Sequence, residues 1–154
     1  MALRTYFDFA EDDRDWFMWS YEQGVVANGM AALAQNACEK YLKHLIDVYY
    51  VPEDRAEEDA RTSAMHTHNL AKLTRFIRYD MGLDLDEEAE DAMDRINGFY
   101  FTTRYPGDES IEVDHRDIEN CAMAIGACRS EVLRMVREIE PCQDQDMPDD
   151  IGGR

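Results

Sequence analysis

Asp114-His-Arg-Asp-Ile118-Glu-Asn-Cys121-Ala-Met-Ala-Ile125-Gly-Ala-Cys128-Arg-Ser-Glu-Val132-Leu-Arg-Met135-Val-Arg-Glu-Ile139 decides the fold class. Ile118, Cys121, Ala122, Ile125, Cys128, Val132, Met135 and Ile139 recur at three- and four-residue intervals, which lines one face of an α-helix. Asp114 supplies an oxygen for the first free backbone N–H groups, so the pattern predicts a last helix of about 25 residues starting there. Ala122, Ala124, Gly126 and Ala127 would let a neighbouring helix approach closely.

Working back toward the N-terminus, the same period recurs. Asp86 is the expected cap of a helix carrying Ala89, Met93, Ile96 and Tyr100, with Glu87 and Glu88 at its positive end. Thr67 is the expected N-cap of a helix through Tyr79, striped by Leu70, Leu73 and Ile77 and ended by Gly82. Residues 52–61 are acidic and predict a long connection carrying a short exposed helix. Ala37, Cys38, Tyr41, Leu42, Leu45 and Val48 stripe a helix from Asn36 to Val48, with Lys40, Lys43 and His44 on the opposite side. Residues 13–35 hold Trp16, Phe17, Trp19, Val25, Val26, Met30 and Leu33 on more than one face, which predicts a largely buried helix. No segment alternates as a half-buried strand does. The expected architecture is all-α, an antiparallel up-and-down bundle of four to five helices over residues 1–140, followed by an acidic, disordered tail at 141–154.

Composition narrows the function. The 154 residues are one domain's length, and an apolar share of 45% supports a packed core. No apolar run reaches the roughly 18 residues that span a bilayer, and the N-terminus lacks a signal peptide's basic and apolar regions, so a cytoplasmic protein is expected. Cys38, Cys121, Cys128 and Cys142 include no C-x-x-C pair, and Cys121 and Cys128, seven apart on one helix face, read as small buried apolar residues, so no disulfide framework is expected. A formal charge of −18 disfavours RNA or DNA, whose binding draws on neutralised phosphates, and suits solubility or a basic partner.

The few cations are therefore informative. Lys40, Lys43 and His44 share one helix, and His66, His68, Lys72, Arg75 and Arg78 cluster further on. Phe99-Tyr-Phe-Thr-Thr-Arg104-Tyr-Pro-Gly107 places an arginine where a helix end meets a loop, because the residue before a proline leaves the helical region. Brought together, these residues would form an anion pocket. Alternatively, Glu39 and Lys43 simply pair across one helical turn on a solvated face. His66 and His68 are too few for a metal site, and Glu112-Val-Asp-His115 offers a single E-x-x-H, so no metal or cofactor is expected. Arg61 with His66 or His68 has the spacing of an arginine–histidine pair able to activate a ribose hydroxyl and stabilise a phosphate. No Walker loop, dinucleotide fingerprint or G-x-S-x-G elbow is present.

Gln35-Asn-Ala-Cys-Glu-Lys-Tyr-Leu-Lys43, His68-Asn-Leu70 and Tyr100-Phe-Thr-Thr-Arg-Tyr-Pro106, in that order, resemble the HEPN family of small all-helical proteins. The resemblance implies a four-to-five-helix bundle, a homodimer, a minimal nucleotidyltransferase as partner, and nucleotide binding or RNA-directed activity. By position it makes Lys40, Lys43, His68, Arg104 and Tyr105 the nucleotide-pocket residues, with Gln35 and Glu39 orienting or pairing with them. HEPN ribonucleases carry an R-x4-6-H motif on a later helix. Here Arg104 is followed by no histidine before His115, and Arg61 and His66 precede the third helix. The expectation is a protein that binds a nucleotide or a nucleotidyltransferase partner in a toxin–antitoxin or defence setting, more a binder than an enzyme. The alternatives are a metal-independent HEPN-type ribonuclease toxin using Arg61 with His66 or His68, and a structural interaction protein.

Overall fold

A computed structural model describes residues 4–141, and every regular element among them is helical. In chain order they are α1 (Tyr6–Glu22), α2 (Asn28–Tyr49), α3 (Arg55–His66), α4 (Leu70–Arg75) with a π-helical turn (Phe76–Asp80), α5 (Glu87–Ile96), α6 (Phe99–Thr102) and α7 (His115–Ile139). No described helix is long and apolar enough to cross a membrane. Of the tail expected at 141–154, all but Pro141, Cys142 included, lies outside the described residues.

Cross-helix pairs fix the directions. Phe7 meets His44, Glu11 meets Tyr41 and Asp13 meets Lys40, so α1 runs antiparallel to α2. Tyr50 with Glu57 and Asp47 with Arg61 turn α3 back along α2. Gln35 with His68 and Tyr50 with Phe76 show α4 and its π turn running with α2, and Leu70 with Asn97 and Arg78 with Glu90 return α5 against α4. Asn28 with Val113, Cys38 with Cys128 and Tyr49 with Glu140 place α7 parallel to α2. Successive long elements therefore alternate in direction. There are more of them than four to five, because the acidic connection forms the full three-turn helix α3.

The core lies where α2 meets α1 and α7. Phe17, Tyr41, Leu42, Leu45, Ile46, Ile118 and Ile125 are fully buried there. Each such Leu or Ile contributes about 1.5–3 kcal/mol relative to exposure. Glu11 clamps the three helices from the side. Its carboxylate accepts from Tyr41 Oη at 2.5 Å and from Arg129 Nε and Nη2 at 2.7 and 3.2 Å.

Caps explain most boundaries. Asp114 and Asp117 form a reciprocal capping box on α7, as Thr5 and Asp8 do on α1, and Asp54 and Asp86 start α3 and α5. Five expectations need correction. The first break falls at Gly24 (φ +77°), not near Gln35, and it leaves Val25 and Val26 in solvent with Trp16 and Trp19. Four consecutive large residues point in every direction around a helix, and α2 can cover only Phe17's side. Thr67 terminates α3, and Asn69 caps α4 by accepting from Lys72 N at 3.2 Å. The helix expected to run through Tyr100 stops at Ile96, and Gly98, at φ +104°, restarts it as α6. Gly126 faces open space rather than a neighbouring helix, and Lys43 is buried, only 7% exposed, rather than solvated opposite the apolar stripe.

Candidate functional site

Gln35, Glu39 and Lys43 lie one helical turn apart on α2, and all three are buried. Three polar residues on one buried edge need partners, since an unpaired polar group away from water is costly. Gln35 finds three. Its Nε2 donates to the His68 carbonyl at 2.6 Å, and its Oε1 accepts from Gly98 N at 3.1 Å and Tyr100 N at 2.8 Å. The last two are free donors at the start of α6, which has no side-chain cap of its own. A side chain of α2 therefore caps α6 from outside.

Glu39 accepts from Gln35 Nε2 at 3.3 Å and from His68 Nδ1 at 3.1 Å. Donation from Nδ1 leaves Nε2 of His68 as the ring nitrogen available to a ligand. The His68 ring lies against Tyr100, with centroids 3.9 Å apart and planes 9° from parallel, and Phe101 packs edge-on at 6.2 Å. Arg104 places its guanidinium carbon 4.5 Å from the centroid of the same Tyr100 ring and 5.7 Å from that of Tyr105. Stacking on an aromatic face holds a guanidinium flat while its N–H edges stay free for an anion. Arg104, Phe101 and Tyr105 are exposed.

The α4 and α6 starts are tied by Asn97. Its Oδ1 accepts from Leu70 N at 2.9 Å, and its Nδ2 donates to Asn69 Oδ1 at 3.1 Å. The Thr103 hydroxyl donates to the Phe99 carbonyl, and Ile111 N donates to the Thr102 carbonyl at 2.9 Å, which close the end of α6 and carry the chain outward. Burial pushes the Lys43 ammonium below the ordinary lysine value, with nearby Lys40 adding to the shift and Glu39 opposing it. Among the described residues no hydrogen bond or ion pair reaches that ammonium.

The structure gathers Lys43 with Gln35 and Glu39 on one helix edge, and His68, Arg104 and Tyr105 around Tyr100. Lys40 sits elsewhere, its Nζ 2.6 Å from Asp13 on α1. Arg61 pairs with Asp47 at 3.0 Å, two turns of α2 beyond Glu39 and so about 12 Å along the axis from the His68 contact. His66 is exposed and its Nδ1 bonds the Thr62 carbonyl of its own helix at 2.8 Å. His115 pairs with Glu119 at 3.1 Å, and no three His, Cys, Asp or Glu side chains gather as metal ligands among the described residues. Tyr100 and Asn97 were not anticipated as site residues. The Tyr-to-Arg spacing of four was the available signal for Tyr100, whereas Asn97 gave none. No family model matches this chain, and neither a curated protein nor a solved structure matches it.

Proposed function

We propose that this chain is a HEPN-like helical protein that binds a nucleotide through Arg104 and His68. One observation carries this: a single ring, Tyr100, holds both a guanidinium and an imidazole that a buried carboxylate orients. In this reading Arg104 forks onto a phosphate with two parallel N–H donors, His68 Nε2 accepts from a ligand hydroxyl, and exposed Phe101 and Tyr105 offer faces to a base. The buried Lys43 ammonium contributes positive potential from one turn below Glu39. Lys40, engaged by Asp13, contributes little. A homodimer and a nucleotidyltransferase partner, implied by the family resemblance, belong to the same proposal. Calorimetry with ATP and GTP tests it. Wild type gives saturable heat that Arg104→Ala abolishes; equal heats from both proteins, or none from either, remove the pocket.

One contact favours a second reading, a metal-independent endoribonuclease. Glu39 holding His68 by Nδ1 is the arrangement that readies Nε2 as a general base beside an arginine. Cleavage of bulk RNA that His68→Ala abolishes and Arg61→Ala leaves intact would establish it over simple binding.

A further inference from the structure

Trp16 and Trp19 are the only tryptophans of the chain, and both stand in solvent, 66% and 57% exposed, on the outer side of α1. Their rings meet at 84° with centroids 6.1 Å apart, so two indole faces form a corner. Asp15 borders the same open cleft, whose walls are almost wholly apolar and whose volume is about 320 Å³, room for one long side chain. Asp15 has one near neighbour among the described cations, Arg14 at 3.5 Å, in an exposed pair of the kind that water and salt weaken.

Perpendicular aromatic faces beside a carboxylate suit a cation, which the ring quadrupole and the formal charge both attract. The same helix already displays that chemistry. The Arg4 guanidinium lies 4.5 Å from the Phe9 ring centroid and is ion-paired with Asp12, with the Asp8 carbonyl accepting at 3.2 Å. At Trp16 and Trp19 the aromatic faces and the acid are present, and among the described residues no cation lies over them.

We propose that Trp16, Trp19 and Asp15 form a receptor for an arginine side chain of a basic segment of a partner protein. Charge selects this occupant. Asp8, Asp12, Asp15 and Glu22 are exposed along α1, and the chain as a whole carries −18. A second copy docking face to face would bring those acids against their own equivalents. The chain's own residues 142–154 have the wrong sign, with Asp144, Asp146, Asp149 and Asp150 against Arg154. Phosphate-rich nucleic acid and anionic lipid are repelled for the same reason.

The probe is a fluorescein-labelled heptapeptide alternating glycine and arginine, with a citrulline version that keeps the shape and loses the charge. Tryptophan emission of the full chain reads this cleft alone, because no other tryptophan exists, and peptide anisotropy reads the variants. The arginine peptide produces a saturable change in both signals at physiological salt, and the citrulline peptide produces none. Trp16→Leu, Trp19→Leu and Asp15→Asn each weaken binding by about tenfold while helical circular dichroism stays unchanged, as exposed positions allow. Equal binding of the citrulline peptide would overturn the proposal, as would unaltered affinity in both tryptophan variants, which would make the contact a diffuse acidic one. Concentration-dependent dimerisation that Trp16→Leu abolishes would also overturn it, by assigning the corner to a second copy.

Discussion

His68 lies flat against Tyr100, with ring centroids 3.9 Å apart, although 32 residues separate them in the chain. The contact exists because Gln35, on a third element, bonds the His68 carbonyl and the Tyr100 amide with the two ends of one side chain. Stability and ligand binding are therefore linked at this point, and they separate by variant.

Tyr100→Leu keeps the backbone bonds and removes the stacking surface. Its thermal midpoint should fall by a few degrees, since one aromatic contact is worth about 0.5–1.5 kcal/mol beyond burial. Nucleotide heat should fall with Arg104 untouched, because the guanidinium loses the face that holds it. Calorimetry of this variant beside wild type checks both.

Gln35→Leu leaves the Gly98 and Tyr100 amides and the His68 carbonyl without their partner. At about 1–3 kcal/mol for each buried group left unsatisfied, the loss should exceed about 2 kcal/mol in a urea titration. A loss near zero would mean that α6 is held by other contacts.

Gly98→Ala meets no atom within 4 Å, so any effect comes from the backbone. At φ +104° an L side chain is strained, and a destabilisation of about 1–2 kcal/mol is expected. Amide exchange at Phe99–Thr102 should speed up before the rest of the protein responds.

His44 supplies a pH test. Burial lowers its pKa in the folded state from the ordinary 6.5, against the pull of Asp47, Asp8 and Glu140, and its Nδ1 has no hydrogen-bond partner among the described residues. A base with a depressed folded pKa binds fewer protons folded than unfolded, so stability is full above about 6.5 and declines as pH falls below it. His44→Phe, beside Phe7 and Tyr49, should be the more stable protein by about 1 kcal/mol and should lose less stability between pH 7.5 and 5.5. Glu131 acts in a lower window. Hydrogen bonds from Arg134 lower its pKa against burial, so its contribution is present above 4.5 and lost as pH falls through the folded value.

The last helix was legible because one face carries its apolar residues at unbroken spacing and Asp114 marks its start. The first was not, because Trp16, Phe17, Met18 and Trp19 surround the axis and only the packing against α2 selects Phe17. The family resemblance pointed to Gln35 and Glu39 as orienting or pairing residues. Their partners were not legible, since contact with Gly98 and Tyr100 depends on the break at Asn97 and Gly98, which the continuing apolar period of Met93, Ile96 and Tyr100 conceals. Lys43 was placed opposite the apolar stripe, whereas the helix edge it occupies is buried. Lys40, three residues earlier, faces α1 instead, so two neighbouring lysines of one motif serve different seams.

The four histidines permit a direct measurement, the ring-proton NMR resonances of His44, His66, His68 and His115 during titration with ATP. The account predicts saturable shifts of the His68 and Tyr100 ring signals, His66 and His115 unmoved, and no His68 response in Arg104→Ala. ATP binding that moves other residues and leaves His68 in place would contradict it, as would the absence of any shift at millimolar ATP.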